Sequence, residues 1–144
     1  MEKAGRAAHA VCPASTIGRV QVTRLSDARP YAAPKHVDCT ALRLQGFDAS
    51  DVKSFNVGLS HFLPGGGCER DGSPLEKVYI VTEGEVTIVT DEGEVTLGPY
   101  DSVYLAPNEA RAIENRTNRP ASMITILPYP APGPAQERPA GGAT

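Results

Sequence analysis

The chain has 144 residues, enough for one domain built around one core. Its 40% hydrophobic and 22% charged residues exclude wholesale disorder, and a formal net charge of −3 offers no electrostatic basis for binding nucleic acid or an anionic membrane surface. No run approaches the roughly 20 apolar residues that a membrane span requires.

Residues 1–17 are Ala-rich and carry no apolar h-region, so they read as a flexible extension without a secretory signal. Nine short strands are then predicted. The first are Arg19 to Leu25, Thr40 to Leu44 and Ser54 to Leu63. The clearest alternation follows, with Lys77 to Thr82 (KVYIVT), Glu85 to Thr90 (EVTIVT) and Glu94 to Leu97 separated by Glu83-Gly84 and Asp91-Glu92-Gly93, an antiparallel meander with Gly-containing turns. Ser102 to Leu105, Arg111 to Glu114 and Ser122 to Leu127 complete the set. Gly65-Gly66-Gly67 reads as a turn before strand entry and not a phosphate cradle, because neither a helix start nor GK[ST] follows. Short strands at this spacing define an all-β sandwich or barrel over residues 18–128. Residues 129–144 form a Pro/Gly-rich tail unable to sustain a ladder, expected to be disordered. Cys12, Cys39 and Cys68 are odd in number and lack metal spacing, which points to reduced thiols in a cytoplasmic protein.

Between residues 54 and 128 the chain resembles the cupin family. The first cupin motif is G-x5-H-x-H-x3-E-x6-G, and Gly65 and Gly84 match its two glycines without a gap. The second is G-x5-P-x-G-x2-H-x3-N, whose outline runs from Tyr100-Asp101 through Pro107-Asn108 to Asn115. The resemblance implies a jelly-roll β-barrel of antiparallel strands. Carried over position by position, the two motif-one histidines fall on Asp71 and Ser73, the glutamate on Lys77 and the motif-two histidine on Arg111. Only Asp71 suits a divalent ion, while Lys77 and Arg111 are cations that repel one. No metal and no other cofactor is therefore expected, although an unorthodox site from His61, Cys68, Glu69 and Asp71 stays open as an alternative.

If the barrel is a cupin, Lys77 and Arg111 point inward, and two buried cations are costly unless paired or offered an anion. The expected ligand is a small anionic metabolite, a carboxylate or an enolisable carbonyl compound. Arg111 supplies a bidentate fork, Lys77 a second donor or acid/base group, and Tyr79 and Asp71 further contacts. His61 is a candidate general base, and Glu69, Asp71, Glu76 or Glu109 a candidate proton acceptor. A metal-independent lyase or isomerase follows. The alternatives are a non-catalytic binding or sensory cupin and a metal-dependent cupin with substitute ligands. The bland counterpart is an internal salt-bridge network joining Lys77 and Arg111 to Glu69, Asp71 or Glu109. A homodimer is expected, with Arg19 to Leu25 as the exchanged segment.

Overall fold

The computed structural model describes residues 15–130. They form eleven strands: β1 Ser15–Ile17, β2 Val20–Val22, β3 Arg29–Tyr31, β4 His36–Gln45, β5 Phe55–Asp71, β6 Lys77–Glu83, β7 Val86–Thr90, β8 Gly93–Leu97, β9 Ser102–Leu105, β10 Arg111–Glu114 and β11 Ala121–Pro128. A single 3-10 turn, Leu25–Asp27, separates β2 from β3. No helix among the described residues is long and apolar enough to cross a membrane.

β5 organises the barrel. Its first half pairs with β11, from Phe55↔Pro128 to Phe62↔Ala121, and its second half pairs with β10, Gly67↔Glu114 to Asp71↔Arg111. β4 runs along its other edge through both halves. One sheet therefore reads β9-β6-β11-β5-β4-β3 and the other β8-β7-β10-β5, all pairs antiparallel, folded towards each other into a nearly closed barrel.

The triple glycine is where β5 passes from one sheet to the other, so the expected turn at 65–67 is a bend inside one 17-residue strand. Pro64 offers no N–H, and Gly65 adopts φ +82, a region closed to most L side chains. A Cβ on Gly67 would fall on the Ile113 carbonyl, so only glycine lets β10 close against β5. Asn115, 1% exposed, clamps the bend: its amide N–H bonds Gly66 O, its carbonyl accepts from Gly65 N, and its Nδ2 donates to Phe62 O, Leu63 O and Arg119 O.

The inner face is fixed by alternation. Lys77, Tyr79 and Val81 are buried along β6, and Asn56, Gly58, Ser60 and Phe62 along β5. Phe62, Tyr79, Val81, Val86, Ile88, Ile113 and Met123 pack as the core. Within the described residues, strand pairing begins at Ser15 and packing reaches Tyr129. Gly18 at φ +60 turns Ser15–Ile17 back onto Val20–Val22, and Tyr129 packs edge-on against Phe47. Within the Arg19 to Leu25 segment, Val20–Val22 pairs as β2 with β1 of its own chain, and Ile17 and Val20 stay exposed. Residues 1–14 and 131–144, which hold Cys12 and most of the Pro-rich tail, lie outside the described residues.

Candidate functional site

Because directly opposed residues of an antiparallel pair share a face, the register defines a row across the inside of the first sheet. It runs Val103–Tyr79–Thr125–Gly58–Arg43, from β9 to β4. Arg111 enters from β10 of the other sheet. Its Nε donates to the Tyr79 hydroxyl at 2.8 Å and its Nη1 to the Asp71 carbonyl at 3.2 Å. Lys77, one inward position along β6 from Tyr79, donates from Nζ to Ser73 Oγ at 2.9 Å.

Lys77 and Arg111 are 6% and 8% exposed, and among the described residues neither is paired with a carboxylate. The salt-bridge network expected as the bland counterpart is not what holds them. Asp71, which the motif places nearest, pairs its carboxylate with Lys35 Nζ at 3.3 Å, and that bond holds its pKa below the usual value. Burial, reinforced by the Arg111 charge, lowers the pKa of Lys77. Burial raises that of Tyr79, so the phenol keeps its proton and remains available as a donor. Cys68 lies on the same side, its thiol donating to Glu69 O at 3.3 Å and its pKa raised by burial against the opposing field of Arg111.

Three expected participants stand apart. His61 alternates with the inward Ser60 and Phe62, so it faces outward, where Nδ1 meets Ser122 Oγ at 2.8 Å. Glu69 is exposed, and it is tied in by its backbone, whose N–H donates to Lys35 O and whose carbonyl accepts from Cys68 Sγ. Glu76 is exposed and accepts from the Tyr104 hydroxyl at 3.1 Å. The histidine on the site's side is His36, opposite Cys68 in the β4–β5 register and stacked on Phe62 with centroids 6.4 Å apart. An open groove of about 370 Å³, lined by Gly65, Gly66, Gly67, Cys68, Glu69 and Arg70 among others, runs beside the bend and includes neither Lys77 nor Arg111. Ser73 as the lysine's acceptor, and Tyr31 and Arg43 at the far end of the inner row, escaped sequence reasoning. Arg43 had a signal in its inward parity with Ala41.

The second motif keeps its backbone where it has lost its residues. Tyr100 and Asn108 stand at the two motif glycines and adopt φ +70 and +68, the left-handed conformation glycine would supply. The metal positions do not keep their chemistry. A guanidinium and an ammonium occupy two of the four, Ser73 is engaged with Lys77, and Asp71 with Lys35. No group of three His, Cys, Asp or Glu suited to a metal occurs among the described residues. These four positions do not fit a divalent cation.

An antiparallel barrel with this motif framework is a small cupin, and the chain belongs to the cupin superfamily: the profile of the cupin domain matches residues 58–127. A protein of Mycobacterium tuberculosis named beta-D-galactosidase Rv1717 is 41% identical over 111 residues, spanning 77% of this chain and 96% of that protein. Of solved structures, the polyketide cyclase RemF from Streptomyces resistomycificus superposes with a TM-score of 0.69 at 16% identity, over 76% of this chain and 79% of its own. A sugar phosphate isomerase of the cupin superfamily from Silicibacter pomeroyi gives 0.63 at 24% identity, over 74% of each chain. At such identities these two structures speak for the fold alone.

Proposed function

We propose that the barrel binds a small anionic metabolite, a carboxylate or an enolisable carbonyl compound, and acts on it as a metal-independent lyase or isomerase. One observation carries this reading: Lys77 and Arg111 are buried together without a carboxylate partner among the described residues. Unpaired buried cations are costly, and an anion between them removes the cost.

The chemistry follows from the two environments. Tyr79 and the Asp71 carbonyl hold the guanidinium by Nε and Nη1, which leaves Nη2 to face an oxyanion. Lys77, its pKa lowered, spends more of its time as a neutral amine at a given pH. A C–H bond α to the bound carbonyl breaks, its proton passes to Lys77 Nζ, and the electron pair moves onto the carbonyl oxygen, which becomes an enolate facing Arg111. Return of the proton to a different carbon isomerises the substrate, and expulsion of a β-substituent makes the reaction a lyase.

The test is thermal stabilisation and calorimetric titration with a panel of small carboxylates and 2-oxo acids. Arg111→Ala is expected to weaken binding by about 100-fold, on the order of the 2–5 kcal/mol that truncating a desolvated charge partner costs. Lys77→Met is expected to abolish proton exchange from the α-carbon, followed by NMR in D₂O. Unchanged binding in Arg111→Ala overturns the reading.

A second reading is favoured by the 41% identity to the protein named beta-D-galactosidase: hydrolysis of β-D-galactosides. Glycoside hydrolysis ordinarily uses a pair of carboxylates flanking the bond, and the cations at the motif positions do not supply it. Release of p-nitrophenol from p-nitrophenyl β-D-galactoside, lost in Asp71→Asn and kept in Lys77→Met, would favour hydrolysis over proton transfer at Lys77.

A further inference from the structure

Arg43 lies on the same inner row as Tyr79, opposite Gly58, which in turn opposes Thr125. Its guanidinium carbon is 3.7 Å from the centroid of the Tyr31 ring and 4.3 Å from that of Phe47, so aromatic rings cover the group. A guanidinium held against rings by its faces presents its N–H groups only at its rim. Among the described residues no hydrogen bond or ion pair engages that rim. The acids nearby are committed elsewhere: Asp48 sits 3.7 Å from Arg29, and Asp51 bonds Gln21.

The surroundings hold this arrangement at some conformational expense. Phe47 adopts φ +50, a left-handed backbone uncommon for a bulky side chain, although it is 54% exposed and adds little to the core. Its N–H donates to the Tyr129 hydroxyl at 2.7 Å, the Tyr129 ring meets it edge-on at 4.9 Å, and Ser50 Oγ accepts from Gly46 N at 2.9 Å. On the other side, Tyr31 reaches inward over Gly58. A Cβ there would lie 2.8 Å from the Tyr31 hydroxyl oxygen and 3.1 Å from Thr125 Oγ1, so glycine is what lets the tyrosine extend beneath Arg43. An exposed, strained aromatic whose main contacts are a cation and a second ring reads as a clamp for that cation.

We propose that Arg43, clamped by Tyr31 and Phe47, is a second oxyanion subsite of the barrel, so that its substrate carries an anionic group at each end. The inference rests on the reading of Lys77 and Arg111 as the first anion site. One end meets Arg111 and Lys77, the other meets the rim of Arg43, and Tyr79, Thr125 and the Tyr31 hydroxyl that covers Gly58 lie between them. Three strand spacings, from β6 through β11 and β5 to β4, roughly 14 Å along the sheet, lie between Tyr79, where Arg111 is held, and Arg43, which suits a dicarboxylate of several carbons or a phosphorylated carboxylate.

Calorimetric titration of the full chain with malonate, succinate, glutarate and adipate, each beside the monocarboxylate of equal carbon number, tests this. At least one diacid is expected to bind tenfold or more tightly than its monoacid. Arg43→Gln should erase that advantage while leaving monoacid affinity within twofold, and Arg111→Gln should weaken both classes. Phe47→Ala, which uncovers one face of the guanidinium, should reduce the advantage in part. A ratio of diacid to monoacid affinity unchanged in Arg43→Gln, a loss of both classes alike in that variant, or no diacid advantage in the wild type overturns the second subsite and leaves the Lys77–Arg111 reading standing. If instead Arg111→Gln changes neither class, the first site fails and the two-ended substrate falls with it. A parallel titration with 3-phosphoglycerate tells whether the distal group is a phosphate or a carboxylate. A fall in the melting temperature of the unliganded variant measures the clamp as a structural element, and the affinity ratio does not depend on it.

Discussion

Replacing Lys77 by Met removes a buried ammonium while keeping the length of the side chain. Lys77 and Tyr79 are successive inward residues of β6, and Arg111 Nε is held at the Tyr79 hydroxyl, which puts the two cations roughly 7 Å apart. At an effective dielectric of about 20, like charges at that separation repel by about 2 kcal/mol. The substitution also loses the bond from Nζ to Ser73 Oγ, a loss of about 1 kcal/mol. The unliganded Met variant should therefore be more stable than wild type by about 1 kcal/mol, or more once lysine desolvation is included, raising the melting temperature by about 3–5 °C. The gain must depend on pH in one direction. The folded pKa of Lys77 lies below the ordinary 10.5, so between the two values the unfolded chain holds more protons and wild-type stability rises with pH. The penalty on wild type is complete below the folded pKa and gone above 10.5. The advantage of the variant should then be largest near neutrality and vanish as pH 10.5 is approached. Urea denaturation of both proteins at pH 7 and pH 10, followed by far-UV circular dichroism, measures it. A variant less stable than wild type at pH 7, or an advantage that grows with pH, would refute the idea of an unpaired buried cation.

Three further outcomes are expected. Tyr79→Phe keeps the buried ring but removes the acceptor of Arg111 Nε, and should cost about 1.5–3 kcal/mol in chemical denaturation; a loss under about 0.5 kcal/mol would mean the guanidinium is held otherwise. Gly67→Ala drives a methyl into the Ile113 carbonyl and should cost more than about 3 kcal/mol or prevent folding, whereas Gly65→Ala, with nothing within 4 Å and only its φ of +82 to resist it, should cost about 1 kcal/mol. Cys68, buried and with its pKa raised, should react with iodoacetamide on the order of 100-fold more slowly in the native protein than in urea, read site by site by mass spectrometry; equal rates would place the thiol in an open site.

Much of the barrel was legible because β structure writes its period into the chain. KVYIVT put Lys77, Tyr79 and Val81 on one face without any tertiary information, and Glu83-Gly84 marked the turn that follows, where Gly84 indeed takes φ +76. The glycine spacing pointed to the family, and the four changed ligand positions pointed to an interior of reversed charge. Other features belong to neighbours remote in sequence. Pro64 to Gly67 has the composition of a turn, yet it continues as strand because β4 and β10 pass too close on either side for side chains, and neither neighbour can be read from the glycines. β3 is three residues with a proline and shows no alternation, so its pairing with β4 left no trace in the pattern.

What the sequence by itself determined is parity: which residues of a strand share a face, and hence that Lys77 travels with Tyr79 while His61 opposes Phe62. Parity does not say which face is inside, nor which strand lies opposite. The tertiary structure decided both, because β5 crosses between the sheets and sets the register of β4, β10 and β11 against it. That crossing turned His61 outward, drew Asp71 to Lys35, brought Arg111 onto Tyr79, and laid Arg43 along the same row. The meeting of two cations inside this barrel, which the family resemblance implied, is brought about by the strand order, which alternation within a strand does not encode.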